Sequence, residues 1–90
     1  MNDLSEWGKI LAVGEMLLDQ DFSADGLCSR AGVSVATLKR YLAELRHVGC
    51  QIVSRRESSG WVYRLENAEA VRVILLRWLD LERQRTLVTQ

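Results

Sequence analysis

The sequence LCSRAGVSVATLKRYL, residues 27–42, decides the fold of this 90-residue chain. Apolar residues recur at helical spacing on both sides of Gly32, and Ser34 follows two positions later. Glycine commonly ends a helix because it adopts the left-handed conformation readily, and serine is a favoured cap for the helix that follows. The stretch therefore predicts two helices joined by a tight turn, which is a helix-turn-helix.

Two strands are predicted after the second of these helices, which ends at Gly49. Residues 50–54 and 61–65 alternate between two faces, and the polar segment RRESSG, residues 55–60, separates them. The side chains expected to face the core are those of Cys50, Ile52, Ser54, Trp61, Tyr63 and Leu65. A helix-turn-helix followed by a β-hairpin is a winged helix, so the predicted fold is mainly α with a small hairpin wing.

The residues before this region predict the rest of a three-helix core. Asp3 is expected to cap a first helix, with Glu6 completing a capping box. Gly14 lies on the apolar face of that helix, which favours a close approach to another helix. Phe22 is expected in a short extended link, and Ser23 as the cap of the next helix.

A fourth helix is predicted after Asn67, its expected cap, with a polar tail that frays from Glu82 onward. Its apolar residues span more than one stripe, which favours two packing partners. The expected partners are the rest of the chain on one side and a second copy of the chain on the other. The alternative is that the helix packs only within its own chain, against the first helix and the wing. We therefore expect residues 1–66 to form the winged domain and residues 67–90 a dimerisation helix, through Val71, Ile74, Leu75, Trp78 and Leu81.

A resemblance to known proteins rests on residues 27–34 and on residues further along, namely Thr37, Leu38, Leu42, Leu45, Gly49, Ile52, Tyr63, Arg64 and Leu65. This pattern resembles the winged helix-turn-helix at the start of DeoR-type regulators and of biotin protein ligase/repressor proteins. It covers about half of the chain and includes the wing. The sequence departs from the pattern at Val35 and Ala36, where such regulators often carry polar or basic residues, and at residues 60–63 of the wing. The resemblance implies a DNA-binding domain.

The charge pattern also favours a polyanionic partner. The net charge is zero. However, residues 27–64 carry seven basic and two acidic side chains, whereas residues 1–26 carry one basic and six acidic ones. A basic middle beside an acidic shoulder suggests one face that binds a polyanion, with the acidic residues on the far side. The alternative is that each charge only solvates its own helix face.

The exposed face of the helix that Ser34 caps is expected to enter the major groove of DNA. Arg40 is the best candidate for a bidentate contact to guanine, with a phosphate contact or no contact as alternatives. Val35 and Ala36 favour contacts to thymine methyl groups. Thr37 and Lys39 are expected to hold phosphates, and Ser34 is a further expected contact. Arg30 is expected to meet a phosphate or, alternatively, to be an ordinary surface arginine. At the wing tip, Arg55, Arg56 and Ser58 are expected to contact the DNA backbone or enter the minor groove; the alternative is an ordinary hairpin kept soluble by its charge.

The sequence offers no pattern that predicts catalysis. Cys28 and Cys50 lack the spacing of a metal site and are expected to be reduced thiols, which favours a cytoplasmic protein. His47 has no ligand or base partner at a suitable spacing, and no apolar run approaches the length of a membrane span. We therefore expect no enzyme activity, no cofactor, no metal and no membrane partner.

Three functions are compatible with these patterns. The leading hypothesis is a small sequence-specific double-stranded DNA-binding protein, a dimeric transcriptional regulator of bacterial or phage type. The second is a winged helix for protein–protein interaction, without base readout. The third is an adaptor that holds DNA with its wing and a larger protein partner with its final helix.

Overall fold

The part of the chain that the structure describes folds into four helices and a three-stranded antiparallel sheet. The structure is a computed structural model that describes the backbone of residues 5–88 and the side chains of residues 5–85. The elements in chain order are α1 (Glu6–Met16), β1 (Phe22–Ser23), α2 (Ala24–Ala31), α3 (Val35–His47), β2 (Ile52–Glu57), β3 (Gly60–Leu65) and α4 (Ala68–Val88). This order confirms the predicted winged helix-turn-helix with an added C-terminal helix.

The turn between α2 and α3 forms for the local reasons that the sequence indicated. Gly32 has a φ of 69°, and its N–H donates to the Cys28 carbonyl at 2.8 Å, which ends α2. The Ser34 hydroxyl accepts the N–H of Thr37 at 3.2 Å, which caps α3. These two signals fix the angle at which α3 leaves α2.

The hairpin is longer than predicted, because pairing continues through the arginines. Arg55 pairs with Val62 and Arg56 with Trp61, so both arginines lie within β2. Only Ser58 and Ser59 form the turn. The prediction that the two arginines lie in the loop at the tip is therefore wrong, while Ser58 does lie at the tip.

β3 is the central strand, because the extended link at residues 22–23 pairs with its other edge as β1. The predicted inward positions are buried at Cys50, Ile52, Tyr63 and Leu65, but Ser54 and Trp61 are exposed. Val62, predicted to face outward, is buried because strands flank it on both sides.

The core lies where α1 packs against α3 and α4. Gly14 allows this approach, since a Cβ there would lie 3.1 Å from Leu45 Cδ2 and 3.4 Å from Leu75 Cδ1. The rings of Trp7 and Trp78 add a contact between α1 and α4, with centroids 6.0 Å apart. The cap of α1 is Ser5, whose hydroxyl accepts the N–H of Gly8 at 3.0 Å. The predicted cap, Asp3, lies outside the described residues.

Helix α4 begins at Ala68, directly after Asn67 as predicted, and the Asn67 carbonyl accepts the Val71 N–H at 3.2 Å. The Asn67 side chain does not cap the helix, because its amide donates to the Gly49 carbonyl and accepts the Gln51 N–H, each at 2.8 Å. The helix does not fray at Glu82 but continues to the end of the described backbone. Glu82 is 7% exposed and accepts a hydrogen bond from the Ser5 hydroxyl, which joins α4 to the start of α1.

The residues predicted for dimerisation divide between two surroundings. Val71 and Leu75 lie in the core of the single chain, so their side chains are not available to a partner. Ile74 and Leu81 are 38% and 49% exposed, and Trp78 is partly buried against the core. Among the helices within residues 5–88, none combines the length and the apolarity that crossing a bilayer would require.

Candidate nucleic-acid interface

Helix α3 has one face in the core and presents the other to solvent. Its buried side chains are Leu38, Tyr41, Leu42 and Leu45. The exposed face carries Ala36, Lys39, Arg40 and Ala43, and Val35 is 48% exposed beside it. Because Ala36 and Ala43 are small and lie seven residues apart on this face, the helix backbone can approach another surface closely.

Arg40 is exposed on this face but is already paired with a carboxylate. Its Nη2 donates to Glu6 Oε2 at 2.8 Å, and its guanidinium carbon lies 5.8 Å from the centre of the Tyr41 ring. The prediction that acidic residues keep to the far side is therefore wrong at this point. Helix α1 crosses close enough to α3 to bring Glu6, a carboxylate of the acidic segment, to the candidate recognition face.

Arg55 is also paired, which gives it a role in holding the wing. Its Nη1 lies 2.9 Å from Asp21 Oδ2, and its Nε lies 2.6 Å from Glu57 Oε2. Hydrogen bonds to Glu57 and then to Asp21 raise the pKa of Arg55 above its ordinary value. The side chain thus ties β2 to the link before β1, in place of the predicted position at the wing tip.

Other cations of the middle region differ in how strongly they are engaged. Arg46 donates from Nε and Nη2 to the Ile52 carbonyl at 3.1 and 3.0 Å, which joins α3 to β2. Arg30 lies over Phe22 and Arg56 over Trp61, at 5.1 and 5.5 Å from the ring centres. Among the described side chains, Lys39, Arg30 and Arg56 form no ion pair, so their charge is available to an anion.

The two thiols lie apart from any metal-binding arrangement in the described part of the chain. Both are free, with Cys50 buried and Cys28 partly exposed. Burial raises the pKa of Cys50, and burial followed by the charge of Asp25 raises the pKa of Cys28. Thiols with raised pKa values stay protonated at neutral pH and react slowly.

A shallow cleft of about 370 Å³ lies between the link after α1 and the start of α4, lined by residues 17–21 and 64–70. Its lining includes Asp19, Asp21, Glu66 and Glu69 but only one cation, Arg64. An excess of carboxylates repels phosphate groups. The cleft is therefore not part of the candidate interface.

Residues 9–62 match the family described as HTH domain. This span contains α2, the turn, α3 and most of the wing. The chain belongs to the HTH domain family. No curated protein matches this HTH domain protein in sequence.

Three solved structures share the fold of this HTH domain protein. One is the homodimeric winged helix-turn-helix DNA-binding domain of Mb0332 from Mycobacterium bovis, a possible ArsR-family transcriptional regulator. It is 19% identical, with a TM-score of 0.63, and the match covers 86% of this chain and 70% of that one. The second is Rv0081 of Mycobacterium tuberculosis, 20% identical, with a TM-score of 0.62 and coverage of 91% and 82%.

The third is reduced HlyU from Vibrio cholerae, 30% identical, with a TM-score of 0.58 and coverage of 79% of this chain and 75% of that one. None of the three is described as a DeoR-type regulator or a biotin protein ligase. That finer resemblance stays a sequence-based prediction.

Proposed function

We propose that this protein is a small, non-enzymatic, sequence-specific double-stranded DNA-binding protein that regulates transcription as a homodimer. The observation that carries the proposal is the exposed face of α3, with Lys39 and Arg40 between the small Ala36 and Ala43. We propose that it is a bacterial or phage regulator that acts in the cytoplasm.

In this proposal α3 enters the major groove and the wing contacts the backbone beside it. Ala36 and Ala43 let the helix axis lie near the groove floor, Val35 contacts thymine methyl groups, and Arg40 reaches a base edge. Lys39 and Arg56 contact phosphates, since neither forms an ion pair with another described side chain. Phosphate contacts of this kind set the register of the helix on the duplex.

Helix α4, within residues 67–90, is the proposed dimerisation element. Ile74, Trp78 and Leu81 are spaced by four and three residues, so they form one stripe along the helix. Ile74 and Leu81 are exposed, which leaves this stripe open to the same stripe of a second copy across a two-fold axis. The description of the Mycobacterium bovis domain as a homodimer supports this arrangement.

Selection of bound sites from a random DNA pool tests the proposal. A dimer of this kind is expected to enrich palindromes whose half-sites lie about one helical turn, roughly 34 Å, apart. Enrichment of no sequence over the starting pool would reject sequence-specific binding. Enrichment of single half-sites would reject the dimer and keep the DNA readout.

Arg56→Ala is expected to weaken binding to selected and random DNA by the same factor, because a phosphate contact carries no sequence information. The slope of log affinity against log salt should lose about 0.9 in magnitude per chain. Fluorescence anisotropy across a salt series measures both quantities. Arg83→Ala, which removes the same charge from α4, is the control and should leave the slope unchanged. If Arg56→Ala lowered affinity only for the selected DNA, the assignment of Arg56 to a phosphate contact would be contradicted.

Arg40→Ala is expected to weaken binding to the selected site by about 5- to 150-fold, the range of one bidentate base contact. It should also relax the preference at one base pair per half-site. Repeating the selection with the variant measures both effects. Equal losses on selected and random DNA would show that Arg40 contacts only phosphate.

The alternative function, a winged helix that binds a protein, is favoured by one observation. Arg40 and Arg55 already have carboxylate partners, which reduces the positive charge offered to DNA. Such a protein would form a stable complex with a defined protein partner and pass unretained through a polyanion column. If the protein is instead retained on the polyanion column and is released by added salt, the result favours DNA binding.

A further inference from the structure

Glu6 and Arg40 bring together the start of α1 and the exposed face of α3, although they lie 34 residues apart in sequence. The guanidinium has five N–H donors, and Glu6 Oε2 accepts only one, from Nη2 at 2.8 Å. The Tyr41 ring lies against the same group, 5.8 Å from its central carbon. The guanidinium is thus oriented by two contacts and keeps several donors for another partner.

The carboxylate that holds Arg40 projects from a fixed segment. Ser5, the residue before Glu6, caps α1 and also donates its hydroxyl hydrogen to the buried carboxylate of Glu82 on α4. Next to Glu6 on the other side, Trp7 packs against Trp78 of α4. The backbone of Glu6 is therefore attached to α4 on both sides.

We propose that Glu6 is a positioning residue that orients Arg40 for bidentate readout of a guanine in the major groove. The inference rests on the proposed DNA binding and adds the residue that orients Arg40 for its contact to guanine. Guanine offers two acceptors, O6 and N7, in a fixed geometry that two guanidinium donors match. An arginine whose orientation is already set loses less side-chain freedom on making this contact.

A phosphate group needs no such orientation, and the negative charge of Glu6 repels it. Glu6 should therefore favour the guanine contact and disfavour phosphate contacts at the same time. A carboxylate that only masked Arg40 would instead weaken both kinds of contact. The two roles therefore predict opposite effects of Glu6 on affinity for the selected site: a positioning residue raises this affinity, and a masking residue lowers it.

Glu6→Gln, assayed against the selected site and random duplex at constant salt, separates the two roles. We expect affinity for the selected site to fall about fivefold, the lower end of one bidentate contact. Affinity for random DNA should rise, because a negative charge near the phosphates is lost. The fold should persist, since exposed ion pairs contribute little to stability, and a thermal unfolding curve checks this.

Glu44→Gln is the matched control, because it removes a carboxylate from the exposed side of α3 that forms no ion pair within the described part of the chain. It should raise affinity for both DNAs by one factor. Replacing the contacted guanine with 7-deazaguanine, which lacks the N7 acceptor, should weaken binding of the wild type about fivefold. The same replacement should have little effect on Glu6→Gln. In an Arg40→Ala background, Glu6→Gln should no longer change the ratio of the two affinities.

Equal behaviour of Glu6→Gln and Glu44→Gln, or indifference of the wild type to 7-deazaguanine at every position, would overturn the positioning role. Either result with DNA binding retained leaves the proposed function standing. Absence of wild-type binding to any DNA would instead overturn the proposed function and this inference together.

Discussion

Replacing Ile74 and Leu81 together with glutamate is expected to convert the proposed dimer into a monomer. Both side chains are exposed in the single chain, so the change should leave the core unaffected. In a dimer it would place four unpaired carboxylates in an apolar contact between two α4 helices, where burial without a partner is strongly unfavourable. The mass in solution, measured by sedimentation equilibrium, should fall by half.

Loss of the dimer should also weaken binding to DNA that carries two half-sites, by about 100-fold or more, because linked binding of the second half-site is lost. Binding to a single half-site should change little. Val73→Glu is the control: Val73 is 77% exposed and lies about 100° round the helix from Ile74. That variant should remain dimeric. If the double variant keeps the mass of a dimer in solution, the dimer contact lies elsewhere. If the wild type is itself a monomer, the proposed dimer does not exist.

Leu45→Ala is expected to lower the free energy of unfolding by about 2–5 kcal/mol. Leu45 is completely buried on α3, and its Cδ2 lies against Gly14 of α1, which has no side chain of its own to fill the space. Urea denaturation followed by circular dichroism measures the change. Val48→Ala, at an exposed position beyond the end of α3, should cost much less. A loss below about 1 kcal/mol for Leu45→Ala would mean that the contact between α1 and α3 repacks.

The helix-turn-helix could be predicted from the sequence because its signals are local. Gly32 ends one helix and Ser34 caps the next, and both depend only on neighbouring backbone. The wing tip was harder to predict from the sequence, because the polar run RRESSG is typical of a loop. Pairing across the hairpin extends the strands through Arg55 and Arg56, and cross-strand partners are not visible in a local pattern.

The site could be predicted only as a set of residues on α3, and its electrostatics could not. Glu6 and Asp21 each lie 34 residues from the arginine that they contact, so nothing near Arg40 or Arg55 indicated the pairs. The continuation of α4 has a similar cause. A polar sequence after Leu81 predicts fraying, but Glu82 is buried and accepts a hydrogen bond from Ser5 at the other end of the described chain.

The salt dependence of DNA binding tests most directly whether α3 and the wing form a phosphate-binding surface. Lys39 and Arg56 of two chains would make four phosphate contacts, so log affinity should fall linearly with log salt at a slope of about −3.6 or steeper. A slope of this size, reduced by Arg56→Ala, is the result that the proposed interface predicts. A slope near zero for the wild type would contradict it.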